Sequence, residues 1–174
     1  MKATVRWSSL LVLLALPVGC GGGGQSTLEE VLTLAVPGRF VAFSSSDPDL
    51  VDGDANGVED VFVVDRLKNQ RIWISQGANG PSFDPDITPD GRYVTFVSKA
   101  TNLTGIVNGQ PKIYCCDLTT KEMVLVSKAP SSNYYAPRIS ADGRFIAYRR
   151  VKNFTGYVHL WDRVTDEVIM SGSC

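Results

Sequence analysis

A chain of 174 residues with 17 basic and 18 acidic side chains carries a formal charge of −1. That balance leaves no electrostatic footprint for nucleic acid and none for a basic membrane-surface domain. One histidine and four cysteines with no CxxC pair lack metal-ligand spacing, so zinc chemistry is excluded on pattern.

The N-terminus stands apart from the rest. Lys2 and Arg6 precede an unbroken apolar run from Leu10 to Leu16, too short to span a bilayer and suited to an export signal. It ends at Pro17-Val18-Gly19-Cys20, and Gly21 to Gly24 follow as a flexible tether. The arrangement resembles a bacterial lipoprotein signal, which implies lipid on Cys20 and an outer-membrane anchor, with the body of the protein periplasmic or surface-exposed. Pro17 stands where that family prefers leucine. The expected division is a signal at 1–19, a tether at 20–28 and a folded part at 29–174.

The folded part is repetitive. Gly38-Arg39-Phe40-Val41-Ala42-Phe43 returns at Gly91 and again, as Gly-Arg-Phe-Ile-Ala-Tyr, at Gly143, in steps of 53 and 52 residues. Behind each copy a hydrophobic strand closes on an aspartate: Asp65, Asp117, Asp162. A fixed period near fifty with several short strands per period predicts an all-β β-propeller, one four-stranded antiparallel blade per repeat. Alternation predicts strands over about 84–88, 93–98, 112–117 and 123–127 in the second repeat. The blades fall at about 32–83, 84–134 and 135–174. Asp90-Gly91 and Asp142-Gly143 read as tight primed hairpin turns.

The stretch Pro137-Arg138-Ile139-Ser140-Ala141-Asp142-Gly143-Arg144-Phe145-Ile146-Ala147-Tyr148 resembles the blade-opening motif of TolB-type propellers, and Pro85 to Phe96 is similar to it. The resemblance implies a non-catalytic binding or scaffold module whose partner is an envelope or periplasmic protein. Three blades do not close a ring. Each open end would expose a few hundred Å² of apolar surface, on the order of 10 kcal/mol at ~25 cal/mol per Å². A homodimer of half-rings, another ring-completing chain, or a truncated remnant are the ways out. A different class of reading is the propeller part of a hydrolase similar to prolyl oligopeptidase, without its catalytic domain.

One loop has the donor order of a calcium site. Asp52, Asp54, Asn56 and Asp60 stand at positions 1, 3, 5 and 9, with Gly57 at 6 and the Val58 carbonyl at 7. The spacing resembles the calcium loops of integrin-type propellers and implies a structural Ca²⁺; the plainer reading is an Asn56-Gly57 turn on an acidic loop. In the second repeat Lys112 takes the ninth position, which would repel an ion.

Catalytic patterns are weak. His159 lies inside a strand and reads as a packed residue, and Ser44-Ser45-Ser46 has no nucleophile elbow around it. The expectation is therefore no enzyme activity. Adjacent Cys115 and Cys116 point to opposite faces of one strand, and Cys174 is available to pair with whichever is exposed. Tyr134 and Tyr135 offer an exposed pair on a loop or, as the preferred alternative, Tyr135 begins a buried strand.

Overall fold

The computed structural model describes residues 38–104, 108–129 and 132–173. Apart from one 3₁₀ turn, Pro48–Leu50, the regular elements among these are strands, arranged as three antiparallel meanders. The first sheet is β1 (Phe40–Ser45), β2 (Asp60–Asp65) and β3 (Gln70–Trp73). The second is β4 (Ser82–Ile87), β5 (Tyr93–Ser98), β6 (Lys112–Asp117) and β7 (Met123–Leu125). The third is β8 (Asn133–Ile139), β9 (Phe145–Lys152), β10 (Thr155–Asp162) and β11 (Glu167–Ser173). This is the expected partial propeller: three blades, not closed into a ring. The fourth strand expected for the first blade, near Leu32–Ala35, lies outside the described residues.

The blades pack face to face, and period-2 alternation lets the middle blade serve two neighbours at once. Val94, Phe96, Tyr114 and Cys116 join Val61, Val63 and Ile74 in the core between the first and second blades. Their strand neighbours Tyr93, Val97, Ile113 and Cys115 turn the other way and meet Tyr134, Ile146, Tyr148 and Trp161 of the third. Both cysteines are consequently buried and unpaired, one in each core. Cys174 is outside the described residues.

The repeated hexamer is the joint between blades. Gly91 has φ +74° and sits directly against the Phe40 ring; Gly143 has φ +70° and sits against the Tyr93 ring. A Cβ at either glycine would overlap the ring, so the aromatic of each blade needs a glycine on the next. The arginine between them is fixed at both ends. Arg39, Arg92 and Arg144 reach Asp65, Asp117 and Asp162 across the β-ladder, at 2.6, 3.0 and 2.8 Å. Each guanidinium also lies over its own aromatic, 4.5 to 4.8 Å from the centroid of Phe40, Tyr93 or Phe145.

The Asp-Gly turns differ from expectation. Only the glycine has positive φ, and Gly91 N–H donates to the Thr88 carbonyl at 2.8 Å, so these are wider loops. Asp90 and Asp142 brace them by accepting from Arg92 N–H and Arg144 N–H, each at 3.0 Å. A two-residue turn with both residues at positive φ occurs elsewhere, at Asn153 (φ 50°) and Phe154 (φ 65°) between β9 and β10. Blade boundaries also move slightly. β4 opens at Ser82 and β8 at Asn133, because each first strand carries a bulge, with Asp84 (φ 53°) and Ala136 (φ 51°) in the left-handed region.

Candidate binding surface

The first strands of the second and third blades lie side by side and are tied by two carboxylates. Asp84 accepts from Ala136 N–H at 3.0 Å, and Asp86 accepts from Ile139 N–H at 2.8 Å. Exposed polar backbone at the bulge is thereby satisfied across the joint.

The loop read as a calcium site is organised around protein donors. Asp60 is fully buried at the head of β2. One of its oxygens accepts from Ser75 Oγ and the other from Asn56 Nδ2 at 2.7 Å. Asn56 Oδ1 in turn accepts from Val58 N–H at 2.9 Å, the turn geometry of the plainer reading. Asp54 is buried and Asp52 exposed. Among the described residues no three His, Cys, Asp or Glu side chains converge as a metal site. In this arrangement each Asp60 oxygen already accepts one hydrogen bond, so an ion would share Asp60 with Asn56 and Ser75 or take it from them.

Lys112 stands where Asp60 stands one repeat earlier and is likewise buried. Its Nζ donates to the Ala129 and Ser132 carbonyls at 2.8 and 3.0 Å, and burial lowers its pKa. The heads of β2 and β6 thus each anchor a loop, with opposite charges and different partners.

Cys20 and the signal segment lie outside the described residues. No described helix is long and apolar enough to cross a membrane. Of the tyrosine pair, Tyr134 is the buried one, and Tyr135 is only partly covered. The strand begins at Asn133, two residues earlier than expected, and it is Tyr134 that faces the core. Cys115 and Cys116 are poor nucleophiles, since burial pushes the Cys115 thiol up to about 12 and raises that of Cys116.

His159 is buried against Tyr148, ring centroids 5.4 Å apart and nearly parallel. Neither ring nitrogen has a hydrogen-bond partner, so no protein nucleophile is attached to it. Burial and, next, the Arg150 charge hold its pKa below the usual histidine value. Register explains its place. Phe43–Phe62 in the first blade and Phe96–Tyr114 in the second are stacked cross-strand pairs, each with centroids 5.7 Å apart, and Tyr148–His159 is the third of the set.

A hollow of about 480 Å³ lies beside the β9–β10 hairpin and is lined by Asn108, Gln110, Asn133, Lys152 and Phe154. Phe154 is fully exposed at its tip. Two further clefts open between the second and third blades and share Trp161, whose Nε1 donates to Asp166 at 3.2 Å. One, of about 300 Å³, runs along Tyr93, Asp117, Glu122 and Arg163; the Arg163 guanidinium lies 4.1 Å from the Tyr93 centroid.

The outward face of the third blade repeats the inter-blade pattern. By register Phe145, Ala147, Val158 and Leu160 occupy the places of Tyr93, Thr95, Ile113 and Cys115. In the second blade those four are at most 6% exposed, whereas Val158 is 44% exposed and Met170, on the neighbouring strand, 58%. At the other end Gly38 is exposed at φ +70°, and among the described residues the Arg66 guanidinium alone comes near the place of a Cβ.

No known family pattern matches the chain, and no curated protein matches it. Solved structures do resemble it in shape. The β-propeller domain of the Trilobed protease from Pyrococcus furiosus aligns with a TM-score of 0.57 and 18% identity over 80% of this chain and 40% of that one. A putative TolB from Agrobacterium tumefaciens gives 0.55 and 17%, over 77% and 46%. TolB from Acinetobacter baumannii gives 0.51 and 20%, over 75% and 28%. The chain spans less than half the length of each of these structures. Such likenesses establish architecture and nothing finer: the chain is a β-propeller-like array of three blades.

Proposed function

We propose that this chain is an exported, lipid-anchored binding or scaffold module of the cell envelope, non-catalytic, whose two open blade faces are its contact surfaces. The observation that carries this reading is the outward face of the third blade. Phe145, Ala147, Val158 and Leu160 are the residues that bury a following blade in the second repeat, and here they are left for a partner. The partner we assign is a second copy. Phe145 is an aromatic without its glycine and Gly38 a glycine without its aromatic, so two copies joined head to tail at both ends complete a six-bladed ring.

Localisation rests on the N-terminal pattern and the likeness to TolB proteins. Changing Cys20 to Ser should move the protein from the membrane fraction to the soluble one. Wild type already soluble, with a different first residue, would remove the anchor from this account. A second reading, favoured by the likeness to a protease's β-propeller domain, makes the chain a propeller that gates or binds substrate for a hydrolase on another polypeptide. Mixing variants distinguishes the two. A Phe145→Asp chain unable to associate with itself, yet still bound by a Gly38→Val chain through the intact pair of faces, belongs to the self-assembling module.

A further inference from the structure

The inter-blade cleft beside His159 carries more than packing. In the first two blades the residue at this register position is Phe62 or Tyr114, fully buried aromatics on the same face. His159 keeps the ring and the stack but adds two nitrogens, both buried and both without a protein partner. A buried polar atom left unsatisfied costs about 1–3 kcal/mol. Tyr114 leaves one such atom, its hydroxyl, in the second blade; His159 leaves two, and they lie beside an open cavity, so the imidazole points to something in the cleft to bond to. Space is there: a cavity of about 170 Å³, lined by His159, Tyr148, Trp161, Val168, Arg150 and Lys128, with Asp166 at its edge.

The lining defines the occupant. Trp161, Tyr148 and Val168 make apolar walls. Arg150 Nε is held by Ser132 Oγ at 3.0 Å, which leaves the rest of its guanidinium fork at the cavity. Lys128 is paired with Asp166, whose second oxygen already accepts from Trp161. The acid is thus doubly engaged, and the remaining charge facing the cavity is positive.

We infer that the cleft between the second and third blades is a binding site for a small amphipathic monocarboxylate, its apolar part against Trp161 and Tyr148 and its carboxylate facing Arg150, Lys128 and a ring N–H of His159. A flat carboxylate matches a planar guanidinium, and a desolvated neighbour strengthens that pairing. The site lies within one chain, so it stands apart from the assembly proposed above.

Because the chain has one histidine, its imidazole gives a single assignable set of NMR signals. The test titrates benzoate into the mature full-length chain, with chloride at matched ionic strength as control. The expected result is a saturable shift of the His159 ring nitrogens together with a rise in Tm. His159→Phe restores the phenyl ring that Phe62 supplies in the first blade; it should stay folded and lose the benzoate-dependent rise. Lys128→Gln, on the exposed rim, should weaken binding about tenfold, as one charge-assisted contact implies. Ring signals that do not move with benzoate mean that water alone fills the cleft and overturn the proposal. So does a Tm response that survives in His159→Phe.

Discussion

The Tyr93 ring of the second blade rests on Gly143 of the third, so closely that glycine is the only residue the site admits. Phe40 and Gly91 repeat the contact one blade earlier. The joint is therefore specified by two short sequence elements fifty-odd residues apart, and neither has meaning without the other.

Gly143→Ala should destabilise the fold by about 3 kcal/mol, the sum of a left-handed backbone penalty of about 1–2 kcal/mol and displacement of a packed ring. Gly38→Ala should carry the backbone penalty alone in the isolated chain, since among the described residues only the flexible end of Arg66 is near. Urea unfolding of the two variants in a Phe145→Asp background, which keeps the chain monomeric, reads the difference directly. Equal losses would show that the ring contact is not what makes Gly143 obligatory.

The three Arg–Asp pairs look equivalent in sequence and are not equivalent in burial. Arg39 and Asp65 are both buried, with side chains 8% and 5% exposed, whereas Arg92 and Arg144 are about half exposed. Asp65→Asn should cost about 2 kcal/mol, and Asp117→Asn distinctly less. Arg39 chiefly, and the turn N–H groups of Lys68 and Leu67, hold the Asp65 carboxyl below its ordinary pKa against the opposing effect of burial. A pKa depressed by folding means that the contribution is complete above the unfolded value. It is lost as pH falls through the folded one. Wild type should thus lose stability below about pH 4, the ordinary carboxylate value, and Asp65→Asn should show a shallower acid limb. Parallel limbs would place the acid sensitivity elsewhere.

At the loop 52–60 the described bonds predict support from Asn56 and Ser75 without an ion. Ser75→Ala, which strands one Asp60 oxygen, should lower stability by about 1–3 kcal/mol. Chelator should leave the wild-type Tm unchanged. A Tm that rises with calcium, falls with chelator and ceases to respond in Asp54→Ala would restore the calcium reading and require Asp60 to change partners on binding.

Architecture was legible in the sequence because the information is periodic. Gly38, Gly91 and Gly143 set the repeat, and alternation along Lys112–Asp117 and Tyr93–Ser98 gave strand limits that the structure reproduces. Aspartates 65, 117 and 162 stood out in the sequence only as the residues that close a strand. They brace turns, yet each also holds the arginine just before the strand it pairs with, and only the register brings those two residues together. The turn type at Asp90-Gly91 escaped because a dipeptide does not encode loop length; the hydrogen bonds of Thr88 and Tyr93 decide it. The role of His159 was equally hidden. Only the register that aligns it with Phe62 and Tyr114 shows that an imidazole stands where the other two blades carry a six-membered ring.

The central claim is that the open faces belong to each other, and the mass of the mature chain in solution tests it most directly. Sedimentation equilibrium of residues 20–174 should give a dimer, with Tm rising as protein concentration rises, because association and folding are linked. Phe145→Asp should yield a monomer of lower Tm that no longer depends on concentration. A wild-type chain that is monomeric, cooperative in unfolding and insensitive to concentration would contradict the account.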